Sequence, residues 1–369
     1  MIVERRLSAH LDWPLVAALL ALALIGLGTI YSVTWDPRPG HSQAGPEFWV
    51  QVYALPVGLA ALALCLVVDY RTLAQRWIWF YVLLLAGLVY VRFNGHVSGG
   101  AGRWIRVGKI SLQPSEFARM TLAIVLAAFY GDGRRTAKSM AELAGGAALV
   151  AVPAYLILKQ PDFGTAVTLA PVYLGVVFLA GLRVRWLIAG VIVLALLSPI
   201  IWKYGLKDYQ RSRVVTFINP ESDPRDKGYQ QIQAKVTVGS GGLLGKGFHG
   251  STQGSGGFLP AAHNDFAFSV LAEEHGFVGV LLALGLYLFV IVRSLEAAKL
   301  AKDRVGAYLV AAILSGFAFQ VLYNITMSAG LAPVKGLTLP LMSYGGSSLV
   351  ATFAGFGLIL NVRMRRFTN

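Results

Sequence analysis

A carboxylate that ends a glycine-rich polar stretch and opens an apolar one is the first candidate for chemistry in this chain. From Gly239 to Gly276 the sequence reads GSGGLLGKGFHGSTQGSGGFLPAAHNDFAFSVLAEEHG, and Asp265 stands directly before an apolar run lasting to about Val292. A charged group at the mouth of a membrane-length run is costly to hold and is therefore a candidate for function. As a carboxylate Asp265 can serve as a general base; as an aspartate before a helix it can equally serve as an N-cap. Spacing leaves both readings open. His263, Asp265, Glu273 and Glu274 are all metal-ligand types, but Glu273 lies about 12 Å along a helix at 1.5 Å per residue, too far to share a coordination shell with Asp265.

Other polar groups interrupt the apolar pattern. Glu116 and Arg119 stand one helical turn apart at the start of an apolar run, so they can pair locally or face a cavity. Arg103, Arg106 and Lys109 flank Trp104, a basic and aromatic mixture that suits lipid headgroups, although tryptophan is common at such interfaces anyway. The stretch GSGGLLGKG invites a phosphate-loop reading and fails it, because Ser240 stands where the first glycine is required and Gly247 where a Ser or Thr is. It reads instead as a flexible loop closing over a substrate at the membrane surface, or as a turn-rich connector. Lys159–Thr165 (KQPDFGT) and Gly330–Ser348 (GLAPVKGLTLPLMSYGGSS) are proline- and glycine-bearing reversals, reasonable only where they line a cavity.

The elements that must position these groups are membrane spans. Of 369 residues, 56% are hydrophobic and 14% charged, far more apolar than a soluble domain. The net charge of +14 sits in clusters between apolar runs, as in cytoplasmic loops, and does not point to nucleic acid. The single cysteine, Cys65, excludes an intrachain disulfide and argues against a thiolate metal site. Ten apolar runs, near 14–33, 48–68, 77–91, 115–130, 143–158, 164–181, 185–203, 266–292, 305–327 and 339–361, are read as spans of an all-α polytopic membrane protein. The first is read as a retained span rather than a cleaved signal. With the N-terminus inside, sixteen Lys and Arg residues fall in inner segments (Arg5, Arg6 and Arg134 among them) and seven in short outer loops (Arg38 and Lys109 among them), so both termini are expected in the cytoplasm. One domain is expected over 1–369, with a long outer loop at 204–265 between spans seven and eight. Within that loop PESDP reads as a turn and Tyr229–Val238 as a short amphipathic helix.

The polar corners, in order, resemble the SEDS family (shape, elongation, division and sporulation). The segments that carry the resemblance are GRWI at 102–105, QPSE at 113–116, KQPDFGT at 159–165, YQRSRV at 209–214, NPESDP at 219–224, GYQ at 228–230, GSGGLLGKGF at 239–248, LPAAHNDFAFSVLAEEHGFVG at 259–279 and PLMSYGGSS at 340–348. NPESDP and GSGGL look like the family's rod-shape branch, whereas VKGLTLPLMSYGGSS looks closer to its division branch. The resemblance implies a peptidoglycan glycosyltransferase that polymerises lipid II on the outer face of the bacterial cytoplasmic membrane. It also implies a class B penicillin-binding protein as partner, alongside other membrane proteins of the elongation complex.

Asp265 matches the family's essential aspartate, which selects the base over the cap. Glu116 matches a family acidic residue, with Arg119 where lysine is usual; Ala261, Ala262, His263 and Asn264 replace the usual Pro-Glu-Arg-His-Thr. An inverting transfer needs a base at the acceptor hydroxyl and positive charge at the leaving diphosphate. Asp265 is expected as base, and Arg103, Arg213, Lys246 and Lys335 as the diphosphate clamp, with a divalent cation (Mg2+ or Mn2+) as a possible addition. Trp104, Gln113, Glu116, Arg119, His263 and Ser343 complete the expected substrate contacts. A lipid II flippase and the division-specific polymerase are the alternatives to an elongation polymerase.

Overall fold

The computed structural model describes residues 11–35, 44–98, 101–107, 110–133, 135–205, 208–224 and 226–367; Arg5, Arg6, Arg38, Lys109 and Arg134 lie outside them. The long helices are α1 (Trp13–Thr34), α2 (Pro46–Val67), α4 (Trp77–Asn94), α5 (Pro114–Gly131), α6 (Met140–Lys159), α7 (Phe163–Leu179), α8 (Val184–Ile200), α12 (Ala267–Lys299), α13 (Arg304–Ser328) and α14 (Gly346–Met364). Shorter helices are α3 (Tyr70–Gln75), α9 (Asp208–Ile218), α10 (Lys227–Ser240) and α11 (Thr252–Ser255). Each long helix falls on one of the ten apolar runs. Among the described residues seven of them, α1, α2, α4, α6, α12, α13 and α14, are long and apolar enough to cross a membrane unaided, while α7 and α8 have 17 residues each.

The centre of the bundle is α14, against which α2, α5, α12 and α13 pack. Phe353 and Phe356 are buried there, and Phe356 meets Phe317 of α13 edge-on at 4.9 Å between ring centroids, a geometry favoured by the ring quadrupoles. α8 instead leaves Val184, Ile188, Ile192 and Leu196 exposed; a helix apolar on all sides finds its solvent in lipid. At the far end from Asp265, Asp12 takes ion pairs from Arg293 (3.1 Å) and Arg363 (2.8 Å), tying α12 and α14 to the chain before α1.

Two features depart from the sequence reading. A small antiparallel sheet of β1 (His96–Ser98), β2 (Ala101–Val107) and β3 (Ile110–Leu112) occupies the connection between α4 and α5, with His96 opposite Trp104 and Arg106 opposite Ser111. The segment 204–265 is largely helical: α10 covers the amphipathic stretch expected at 229–238, and Pro220–Ser222 forms a 3-10 turn.

The glycine-rich stretch has a structural task. Gly276 adopts φ 63° and ψ −162° inside α12 and interrupts it, stranding carbonyls before the break and amides after it. The segment 241–247 fills the gap: the amides of Lys246 and Gly247 donate to the carbonyls of Glu273 and Glu274 (2.9 Å each), and the amides of Phe277 and Val278 donate to the carbonyls of Gly242 (2.9 Å) and Leu243 (3.2 Å). Two carbonyls and two amides freed by the break thus find partners, as irregular backbone within an apolar helix requires. The stretch is therefore a docked plug rather than a flexible flap.

A Cβ at Gly276 would collide with the Gly245 amide and lie 2.6 Å from the Leu243 carbonyl oxygen. Gly276→Ala is expected to destabilise the protein by at least about 1–3 kcal/mol from the backbone conformation alone, read as a lower melting temperature in detergent by fluorescence-detected size exclusion. Gly285→Ala, on the same helix with nothing within 4 Å, is expected to leave that temperature unchanged or raised.

Candidate active site

Asp265 closes a tight turn, its amide and that of Asn264 both donating to the Ala261 carbonyl (3.1 and 3.0 Å). The residue in the N-cap position of α12 is Phe266, and no side chain caps that helix end, so Asp265 is not spent as an N-cap. Its carbonyl is held by Asn324 Nδ2 at 2.9 Å, and the same amide nitrogen donates to the Leu337 carbonyl at 2.6 Å. One buried side chain of α13 thus locks the Asp265 turn to the segment before α14. One turn earlier, Gln320 Nε2 donates to the Thr338 carbonyl at 2.8 Å, so two amides at i and i+4 grip that segment from one helix face.

The consequence for the carboxylate is a defined but incompletely satisfied setting. Among the described residues, none gives Asp265 Oδ1, which is buried, a hydrogen-bond partner. Burial pushes its carboxyl up to about 6, against the opposing pull of Lys227 and then Arg213. Gly336 (φ 64°) brings the neighbouring backbone in close, a Cβ there falling 3.4 Å from Asp265 Oδ2. Beside it, the Lys335 ammonium stands 4.6 Å over the Phe163 ring and 5.4 Å over that of Tyr323, a cation–π seat that orients it. Burial, then the charge of Arg213, lowers the Lys335 pKa. His263 is lowered by burial, with Glu47 opposing; its carbonyl accepts the Tyr344 amide at 2.9 Å and its ring meets the Tyr344 ring edge-on at 5.6 Å.

The other expected residues build the walls. Arg103 Nε donates to the Gln160 carbonyl at 3.0 Å and its fork lies 3.9 Å from Asp162, so β2 holds the corner between α6 and α7. Asp162 caps α7 through the Thr165 amide (3.1 Å) and also accepts from Gln113 Nε2 (3.2 Å). The Gln113 amide in turn donates to Ser347 Oγ at 3.1 Å. The corners at 102–104, 113–116, 159–165 and 335–348 therefore meet at one end of the bundle. Glu116 and Arg119 pair at 2.7 Å and line, with Gln320 and Pro340, a cavity of about 40 Å³. Trp104 is half-buried on β2.

Two expected residues are employed otherwise. Lys246 Nζ lies 2.6 Å from Glu273 Oε1, which also accepts the Thr252 amide (3.1 Å), while Ser251 Oγ donates to Glu273 Oε2 (2.6 Å); the plug carries Lys246 to the buried glutamate of α12, where its charge is neutralised. Ser343 Oγ accepts the Leu339 amide at 2.8 Å and serves the turn. Sequence reasoning missed Asn324 and Gln320, although polar residues four apart in an apolar run are a usable signal. It also missed Gln51, whose amide group spans the Ser343 carbonyl (3.2 Å) and the Gly345 amide (3.0 Å), and Lys227, which no local pattern marks.

Comparison with known proteins identifies the family. The model of the cell cycle protein family named for FtsW, RodA and SpoVE matches residues 12–367. The chain is similar to the peptidoglycan glycosyltransferase MrdB of Escherichia coli K12, 36% identical over 364 residues, 97% of this chain and 95% of that one. It is similar to the probable peptidoglycan glycosyltransferase FtsW of Geobacter metallireducens, 35% identical over 367 residues, 96% of this chain and 95% of that one. Among solved structures, a chain of a peptidoglycan synthase complex described as coordinating polymerization and crosslinking superposes with a TM-score of 0.83 at 34% identity, covering 97% of this chain and 99% of that one. The rod shape determining protein RodA of Thermus thermophilus superposes with a TM-score of 0.72 at 31% identity, covering 97% and 98%. With a family match running almost from end to end and likenesses above 30% identity across the fold, this chain belongs to the FtsW, RodA and SpoVE family of cell cycle proteins.

Proposed function

We propose that this chain is a peptidoglycan glycosyltransferase that polymerises lipid II, with Asp265 as its general base. The observation that carries the reading is the buried, unpartnered Asp265 Oδ1 beside a cationic cluster. A carboxyl with a pKa of about 6 is a stronger base than an exposed aspartate and is still ionised near neutrality, the compromise that proton abstraction favours. Asp265 takes the proton of the GlcNAc 4-hydroxyl of one disaccharide as that oxygen attacks the anomeric carbon of another. The bond to the lipid diphosphate breaks, and the configuration inverts from α to β-1,4.

Charge then accumulates on the leaving diphosphate. Arg213, Lys227 and Lys335 are the cations whose fields reach this place, and in a low-dielectric setting fixed charges stabilise such a group strongly. Arg103 and Glu116–Arg119 act as supports, holding the walls and the floor. Among the described residues no three His, Cys, Asp or Glu side chains converge on a metal site, yet Asp265 Oδ1 has no protein partner. It is a suitable ligand for Mg2+ or Mn2+ arriving with the diphosphate, the usual manner for Mg2+, and such an ion would neutralise phosphate charge.

The site lies at one end of the bundle rather than along its depth, which favours chemistry at a surface over transport through the bilayer. We place that end on the outer face of the cytoplasmic membrane, with both termini inside. The likeness to MrdB and RodA supports the elongation role over the division role of FtsW. The crosslinking named for the synthase complex supports a class B penicillin-binding protein as partner.

Asp265→Ala is expected to reduce glycan strands from labelled lipid II by at least about 10²-fold, assayed with the cognate transpeptidase on protein that still melts as the wild type does. Undiminished strands would sink the assignment of the base.

Because the base works ionised, polymerisation is expected to fall as pH drops through about 6, and to fall roughly tenfold per unit below it. Lys227→Gln removes the larger of the two charges that oppose the rise, so the midpoint of the pH–rate curve is expected to move up.

Lys335→Gln is expected to lower kcat/KM by about ten- to a hundredfold, the loss of one charged contact. Lys246→Gln is expected to lower the melting temperature instead, leaving kcat/KM within about threefold of wild type, since it strips the partner from a buried carboxylate.

A further inference from the structure

A further cavity lies outside the site described. Between the last turn of α4 and β2, a groove of about 540 Å³ is lined by Tyr90, Asn94, Gly95, His96, Ile105 and Arg106. The last turn of the helix presents Tyr90 and Asn94 on one face at i and i+4. Gly95 lets the sheet approach, because a Cβ there would strike the Val91 carbonyl and come within 3.0 Å of the Gly102 backbone. Arg106 stands three residues from Arg103 and hence on the opposite face of β2: Arg103 grips the Gln160 corner and Arg106 lines the groove.

The chemistry of the lining is one-sided. Among the described residues, the side chains of Tyr90, Asn94, His96 and Arg106 have no hydrogen-bond or ion-pair partner, and none of the six lining residues is a carboxylate. Arginine alone brings five N–H donors, and tyrosine, asparagine and histidine add four more against few acceptors. A ligand that satisfies this wall must bring acceptors and negative charge, as a phosphate does. Arg92, in the same last turn of α4, adds to the positive field.

The surroundings say which phosphate. Val89, Tyr90 and Phe93 on α4 are 42%, 51% and 80% exposed and Leu112 on β3 is 41% exposed, an apolar flank on a helix of membrane-spanning length and composition. A groove of this volume falls in the range of sites for whole ligands and exceeds what an inorganic ion would fill. Its donors sit where the apolar flank ends, the level at which phospholipid headgroups lie. We propose that this groove is a binding site for the phosphodiester headgroup of an anionic phospholipid, with Arg106 and His96 on the phosphate and the acyl chains along Val89 and Phe93. The lipid then braces the face of β2 opposite the one that holds the Gln160–Asp162 corner of the active site.

The test is native mass spectrometry of the delipidated full-length protein titrated with phosphatidylglycerol, with phosphatidylcholine as neutral control and inorganic phosphate as competitor. The expected result is one phosphatidylglycerol adduct whose affinity drops about tenfold in Arg106→Gln and in His96→Gln, the loss of one charge-assisted contact each, while phosphatidylcholine adducts stay unchanged. Tyr90→Phe supplies a third variant, and the comparison is made on those that melt as wild type does. Phosphatidylglycerol adducts unaffected by all three, or neutral and anionic lipid lost equally, would overturn the proposal. Displacement of the lipid by millimolar inorganic phosphate would overturn the lipid as occupant.

Discussion

A helix of membrane-spanning length can break in mid-course only if another piece of chain takes over the hydrogen bonds that the break releases, and the interruption of α12 at Gly276 meets that condition. The plug 241–247 donates two amides to the carbonyls of Glu273 and Glu274 and accepts two from Phe277 and Val278. In an apolar setting each unsatisfied group would cost several kcal/mol, so plug and break stabilise each other or neither forms. The segment Ala267–His275 is thereby detached from the direction of the span that follows. It is held instead by the loop, through Lys246, Ser251 and Thr252 on Glu273, and Asp265 sits at its start. The helix end beside Asp265 is thus anchored about two turns away by several donors at once, so that losing Lys246 alone leaves Ser251 and Thr252 in place on Glu273.

Placement alone does not make the carboxylate useful. Three effects act on Asp265: burial, which raises its pKa, and the charges of Lys227 and Arg213, which lower it. Burial wins, and the cations limit its effect. The cations that oppose the rise of the Asp265 pKa are those that, in the proposed reaction, would meet a leaving diphosphate, so one cluster would serve both the base and the developing charge. Lys335 joins the cluster by a different means, between two aromatic rings, which hold a cation without neutralising it. Lys246 shows the contrast: against Glu273 at 2.6 Å its charge is internally compensated and is not available to an anion.

The difference between these two lysines also shows what the sequence makes legible. Apolar runs report spans because lipid demands about twenty apolar residues in a row, and all ten runs carry helices. The polar corners were legible because proline and glycine between such runs have few other uses, and they meet at one end as expected. Long-range pairing is not legible: nothing near Lys246 says that residue 273 will neutralise it, and nothing near Asp265 says that Asn324 will hold its carbonyl. The break at Gly276 was not legible although Glu273, Glu274 and His275 stand directly before it, because apolar residues resume at once and a single glycine inside a run does not by itself mark a break. The sheet at 96–112 was hidden by its glycines, which read as turn. Asp265 itself was ambiguous between cap and base on spacing alone; the family resemblance selected the base, and the structure puts Phe266, not Asp265, at the N-cap position.

The same meeting of corners explains where backbone strain collects. Among the described residues, four other than glycine adopt positive φ, and three of them, Pro161 (23°), Ala261 (53°) and Leu341 (70°), lie in the corners that meet around Asp265. Such conformations cost of order 1–3 kcal/mol each and persist only where the surroundings over-determine them. Here the surroundings can be named. Pro161 lies between residues gripped by Arg103 and Gln113, Ala261 accepts two amides in the turn that ends in Asp265, and Leu341 is flanked by Leu339 and Ser343, which are bonded to one another. A site whose corners are each forced into an unfavourable shape by several neighbours has few alternative arrangements. The carboxylate and the lysine beside it are then in position before any substrate arrives, and reorganisation, which weakens charge stabilisation in water, has already been met by folding.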